Sequence, residues 1–212
     1  ADVIKFPPCH GVDGLQWLME DGKNCPYKSL AQVNNDEGYQ AMIPKGQENL
    51  KVPAWLNDPK HYHNQGDSTW QGESSVYGDF AGLDDVDTNS PEVVSGMIDI
   101  FKNLISEFKP DGFRIDTVKH VNMEFWQAFS PALIAHAKTL GIENFFMYGE
   151  VYSFDPKLLS SFTTEGKIPS ILDFALQNAL KESLVEGKGT DVLAEVFAQD
   201  HHYKTTAGDA NQ

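Results

Sequence analysis

With 212 residues, the chain has the length of one large domain, or of one domain carrying a smaller excursion, and two full domains are not expected. Hydrophobic residues at 41% and aromatics at 11%, against 22% charged residues, supply enough apolar surface for a core and exclude global disorder. Asp and Glu outnumber Lys and Arg by 31 to 16, and the resulting charge of −15 repels phosphate backbones and anionic headgroups, so neither nucleic acid nor membrane is expected as a partner. No run approaches the roughly 18 consecutive apolar residues that a spanning helix needs. The opening ADVIKFPPCHGVDG has no initiator Met and no basic-then-apolar leader, and we expect a mature product or an excised piece.

Residues 1–89 hold short apolar patches broken by PPCHG, DGKNCPY, NNDEG, PKGQ, NDPK, NQGDS and YGD, and signal no helix or strand of any length. So long a run reads as functional loop structure or a small irregular subdomain. Cys9 and Cys25 fall in this segment, where a loop brings them together as a disulfide of an oxidising compartment; two unrelated thiols are the alternative. The bridge implies export, to a secreted or periplasmic location. From Ser90 the texture changes. Ser90 and Pro91 form a helix start, and apolar positions from Val93 to Phe108 recur at three and four. Lys109-Pro110-Asp111-Gly112 stops that helix and feeds a strand, Gly112 to Asp116, on which Arg114 and Asp116 share one face. A helix over 123–140, a strand over 144–151, a short helix over 156–162, a strand over 171–174 and helices over 176–185 and 191–198 follow. This alternation predicts parallel strands joined by helices, in an open sheet or a barrel.

Functional groups of such folds collect at the carboxyl ends of strands, where Asp116 and Glu150 both lie. One strand-helix unit separates them, which places them on neighbouring strands about 5 Å apart. Two carboxylates at that spacing suit a retaining glycosidase, whereas inversion needs room for a water between them. Arg114 keeps Asp116 ionised as a nucleophile, and the apolar run Phe145, Phe146, Met147 and Tyr148 favours a protonated Glu150 as general acid. Alone, each acid reads as an ion pair or a strand-end cap; together with Arg114 they read as catalysis.

Gly112-Phe113-Arg114-Ile115-Asp116-Thr117-Val118-Lys119-His120 closely resembles the motif at the fourth barrel strand of the α-amylase family of glycoside hydrolases. Tyr148-Gly149-Glu150-Val151 resembles the motif at the fifth. Leu83-Asp84-Asp85-Val86-Asp87 is similar to a further family motif that ends the domain inserted between the third strand and third helix, with Asp84 in place of Pro. The resemblance implies an α/β fold: a partial (β/α)8 TIM barrel of about three strand-helix units over 90–212, with 1–89 as the irregular inserted subdomain. It implies Asp116 as nucleophile, Glu150 as acid and base, Arg114 as partner of Asp116, and Lys119 and His120 near the sugar beyond the cleaved bond. It also implies calcium as a structural ion, held by the main-chain carbonyl of His120 and by Asp85, which otherwise ties the inserted domain down. The implied activity is retaining hydrolysis of α-glucosidic bonds in starch-like glucans or maltooligosaccharides. Two more family motifs, at the third and seventh strands, are expected before Ala1 and after Gln212, so we expect the middle of a longer enzyme.

Trp55, Tyr62, Trp70 and Tyr77 stud the loop segment as platforms for sugar rings or as its small core, and Trp55 and Tyr77 are the candidates for substrate contact. His61 and His63 form an HxH pair without partners for zinc and read as solvated loop histidines. Asp84, Asp85 and Asp87 read as oxygen ligands for calcium or as caps ahead of Pro91. Two rival functions are a magnesium-dependent barrel lyase or isomerase, which the cation Arg114 opposes, and a non-catalytic relative serving as a carbohydrate-binding or scaffold domain.

Overall fold

A computed structural model of the chain describes residues 9–11, 16–17, 25–34, 39–40, 43, 45–80, 83–205 and 208–209. The chain divides into two units, Ala1–Val93 and Val94–Gln212. No helix among the described residues is long and apolar enough to cross a membrane.

The first unit is built from short pieces. Strand β1 (Cys9–Gly11) lies between β2 (Gln16–Trp17) and β3 (Tyr39–Gln40), antiparallel to both. Helices α1 (Leu30–Gln32) and α2 (Ser74–Tyr77) and the 3-10 turns Ala54–Asn57 and Pro59–His61 are each about one turn long. Elements this short bury little apolar surface, so polar groups supply much of the order. The buried Gln65 side chain donates to the Tyr27 hydroxyl at 2.7 Å and the Lys28 carbonyl at 3.1 Å, and Tyr27 in turn donates to Glu73 Oε1 at 2.7 Å. Gly66 turns the chain at a φ of +84°, where a Cβ would meet the Tyr39 ring at 2.6 Å. Cys25 is disulfide-bonded; the side chain of Cys9 lies outside the described residues.

His61 and His63 correct the sequence reading, because both are buried rather than solvated. His63 Nδ1 lies 2.9 Å from Asp85 Oδ2 and its Nε2 lies 3.1 Å from Asp87 Oδ1. Burial pulls the His63 pKa down, yet the hydrogen bonds and charges of the two carboxylates together outweigh it and lift it to about 9. The acidic run therefore holds a buried imidazole.

The second unit alternates helix and strand. Helix α3 (Pro91–Phe108) leads to β4 (Gly112–Ile115), α4 (Met123–Thr139), β5 (Phe146–Gly149), α5 (Pro156–Thr164), β6 (Ser170–Ile171), α6 (Phe174–Leu184) and α7 (Asp191–Phe197). Strands β4, β5 and β6 pair in chain order and in parallel, with Gly112 opposite Phe146, Ile115 opposite Gly149, and Tyr148 opposite Ser170. Gly112 has to be glycine, since a Cβ there would meet the Phe146 carbonyl oxygen at 1.9 Å. The third predicted strand is shorter than its apolar run because Asp173 caps α6, its Oδ1 accepting from the Leu176 amide at 2.8 Å.

Two-residue alternation sorts each strand. Phe113 and Ile115, with Phe145 and Met147, pack into one cluster with Ile105, Phe129, Leu133 and Leu159 from the helices. Fully burying a side chain such as Leu133 or Met147 stabilises the unit by about 1.5–3 kcal/mol. The opposite face carries Arg114, Asp116, Tyr148 and Glu150.

Candidate active site

Asp116 and Glu150 leave the ends of β4 and β5 side by side. The amide of Glu150 donates to the Ile115 carbonyl at 2.8 Å, which continues the ladder one step beyond the strands. Arg114 Nη1 donates to the Asp116 carboxyl, and the neighbouring Glu150 side chain first, then Arg114, hold the Asp116 pKa below the usual carboxylate range. Arg114 Nη2 lies 3.2 Å from Glu150 Oε2, so a single guanidinium touches both acids. At 65% exposure for the Asp116 side chain, solvent screening keeps this field modest.

The surroundings of Glu150 differ from the apolar nest read from the sequence. Phe145 and Met147 turn into the core by alternation, and the Glu150 carboxyl instead meets Arg114 and the Thr117 amide, which approaches Oε2 at 3.4 Å. Thr117 takes a φ of +49° and ψ of +36°. For a β-branched residue this left-handed conformation costs roughly 1–2 kcal/mol.

Beyond Thr117, a 3-10 turn spans Val118–His120. Its Lys119 Nζ donates to the Tyr152 carbonyl at 2.9 Å and lies 5.7 Å from the Tyr152 ring centroid. The His120 amide donates to the Thr117 carbonyl at 2.9 Å. Tyr152, missed in the sequence reading, is 58% exposed and sits edge-on to Phe154 and Phe174 at centroid distances of 5.6 and 5.1 Å. An aromatic two residues past the Glu150 strand end was the available signal.

The other site candidates fall in the first unit. Trp55 packs edge-on against His61 at 5.5 Å, and the Tyr77 ring lies 5.0 Å from that of His63, so both rings pack on buried histidines. Asp85 offers Oδ2 to His63 and its amide to Asp79 Oδ1 at 2.8 Å. Burial, with the charges of Asp84, Asp67 and Asp85 nearby, raises Asp79 to about 7, although the Asp85 amide opposes this. The charge there suits a cation, but no group of three or more His, Cys, Asp or Glu side chains among the described residues is placed to hold one.

The model of the α-amylase catalytic domain matches residues 9–211. The chain belongs to the α-amylase family. It is 51% identical over 168 residues to an α-amylase of Streptomyces lividans, a match that takes in 79% of this chain and 18% of that protein. Among solved structures, it is similar to the α-amylase of Geobacillus thermoleovorans complexed with acarbose, with a TM-score of 0.60 and 30% identity over 71% of this chain and 35% of the other. An Anoxybacillus α-amylase matches with a TM-score of 0.57 and 29% identity, over 73% and 35% of the two chains. The chain thus spans well under half the length of these α-amylase relatives. Its β4-β5-β6 sheet with crossover helices is part of a (β/α)8 barrel.

Proposed function

We propose that the full-length protein is a retaining glycoside hydrolase that cleaves α-glucosidic bonds in starch-like glucans or maltooligosaccharides. The observation that carries this reading is the placement of Asp116 and Glu150 at the ends of two paired parallel strands, with Arg114 touching both. Neighbouring strand ends that share one guanidinium suit the close pair of a retaining enzyme, whereas inversion needs a separation of about 6.5–9.5 Å for an intervening water. Membership of the α-amylase family and likeness to an α-amylase complexed with acarbose support the substrate class.

In the first step Glu150 gives its proton to the glycosidic oxygen while an Asp116 oxygen attacks the anomeric carbon, breaking the carbon-oxygen bond and forming a glycosyl ester. Glu150, now a carboxylate, takes a proton from water, the water oxygen attacks the same carbon, and the Asp116 carboxylate leaves. Arg114 stabilises the charge on Asp116. Lys119 and His120 contact the leaving sugar on the Glu150 side, where the Tyr152 ring gives it an apolar face.

We also read residues 1–89 as the inserted subdomain and 90–212 as three strand-helix units of the barrel. A secreted or periplasmic location is supported by the disulfide at Cys25. The lyase or isomerase alternative is disfavoured by Arg114, whose charge stands where a divalent ion bridging Asp116 and Glu150 would sit.

The test is kcat/KM on maltooligosaccharides across pH for the wild type and Arg114→Met. Turnover is expected, with an acid limb that moves to higher pH in the variant, because losing the cation raises the pKa of Asp116 and protonates the nucleophile sooner. No turnover of any maltooligosaccharide contradicts the substrate class, and an unmoved acid limb contradicts the role of Arg114.

A further inference from the structure

The pairing of β4 with β5 breaks its own rule at one place. In an unbroken parallel ladder, one residue lies between the carbonyl that accepts from a strand residue and the amide that donates back to it. Across Phe146 to Gly149 the register is regular. At Glu150 it is not: its amide donates to Ile115, but its carbonyl accepts from Val118 at 2.9 Å, so Asp116 and Thr117 together oppose one residue. This is a β-bulge, and its second residue is the left-handed Thr117.

The bulge is anchored on its far side. Val118 is fully buried, its carbonyl accepts from the Trp126 indole at 3.0 Å, and it packs so closely on Gly149 that a Cβ there would meet its Cγ2 at 2.7 Å. With Ile115 and Val118 both fixed against β5, the extra residue turns the Thr117 amide away from the Glu150 carbonyl and toward Glu150 Oε2, at 3.4 Å. One inserted residue thereby replaces a ladder bond with a bond to a side chain.

We infer that Thr117 is a positioning residue, and that the bulge it forms with Asp116 fixes the aim of the Asp116 and Glu150 carboxyls toward each other. The residue acts through its main chain: it requires a positive φ and an amide N–H that donates to Glu150, and its side chain is dispensable. This rests on the assignment of Asp116 and Glu150 as the reacting pair.

The test compares Thr117→Gly, Thr117→Pro and replacement of residue 117 by its α-hydroxy-acid analogue, which exchanges the amide N–H for an ester oxygen. Each is made in the full-length protein and assayed on maltooligosaccharides for kcat, KM and the acid limb of the pH profile. Glycine keeps both the conformation and the amide, so kcat is expected within about threefold of wild type. The ester, lacking one hydrogen bond to a carboxylate, is expected to lose roughly tenfold in kcat with KM unchanged. Proline loses the amide and forbids positive φ, and kcat is expected to fall more than about a hundredfold. Its acid limb is expected to rise as Asp116, faced by Glu150 and by Arg114 with Tyr148 beside it, loses those contacts; a merely structural loss would leave the limb in place.

A tenfold loss in the glycine variant, or an ester variant within threefold of wild type, overturns the proposal. If the proline variant does not fold, the glycine and ester variants decide. Asp116→Asn and Glu150→Gln are measured alongside. Turnover surviving in those removes the underlying assignment, whereas its loss there with an unaffected ester removes only the role of the bulge.

Discussion

Asp116→Asn in the full-length protein is expected to lower kcat on maltooligosaccharides by roughly four orders of magnitude, with sugar binding preserved. The amide keeps the size of the carboxyl but carries no charge to attack the anomeric carbon or to oppose the charge that develops on it. Arg114, which contacts both acids, would remain beside Glu150 at 3.2 Å, so the local geometry has a reason to survive. Burst kinetics with isotope-labelled substrate measure the residual rate, and binding calorimetry of the variant measures affinity separately. A variant within tenfold of wild type would place the nucleophile elsewhere.

The second large effect is Glu150→Gln, for which a loss of about 10²–10⁴ is expected, the usual worth of a positioned general acid and base. This loss should depend on the leaving group. An aryl glucoside with an acidic phenol needs no proton to depart, so the first step recovers and the second, which still needs water deprotonated, becomes limiting. Pre-steady-state release of the phenol followed by slow turnover is the expected signature. Equal losses on aryl and sugar leaving groups would argue against Glu150 as the proton donor.

The meeting of Asp116 and Glu150 was legible in the sequence because parallel strands joined by one helix place their carboxyl ends side by side, and two-residue alternation told which side chains share the face. What surrounds the pair was less legible. The run Phe145 to Tyr148 looks like an apolar wall around Glu150, yet the alternation that aims Glu150 at Arg114 sends Phe145 and Met147 into the core. The left-handed Thr117 left no local signal, since a β-branched residue favours extended backbone; burial of Val118 and its bond to Trp126 impose the conformation from outside. His63 failed as a solvated histidine for a similar reason. Its partners Asp85 and Asp87 come from a distant turn of the same irregular segment, and only their arrival makes a buried imidazole tolerable.

Helix limits followed punctuation closely where caps and prolines act directly, as at Pro91 and at Asp155 with Pro156. In the first unit, short turns tied by Gln65 and Tyr27 depend on pairings too remote for periodicity to reveal.

The most direct measurement is the anomeric configuration of the first product. Proton NMR of the full-length protein acting on a maltooligosaccharide, recorded before mutarotation, is expected to show the α-anomer of the newly formed reducing end. Early accumulation of the β-anomer would mean that water attacks directly, and Asp116 would then not be a nucleophile.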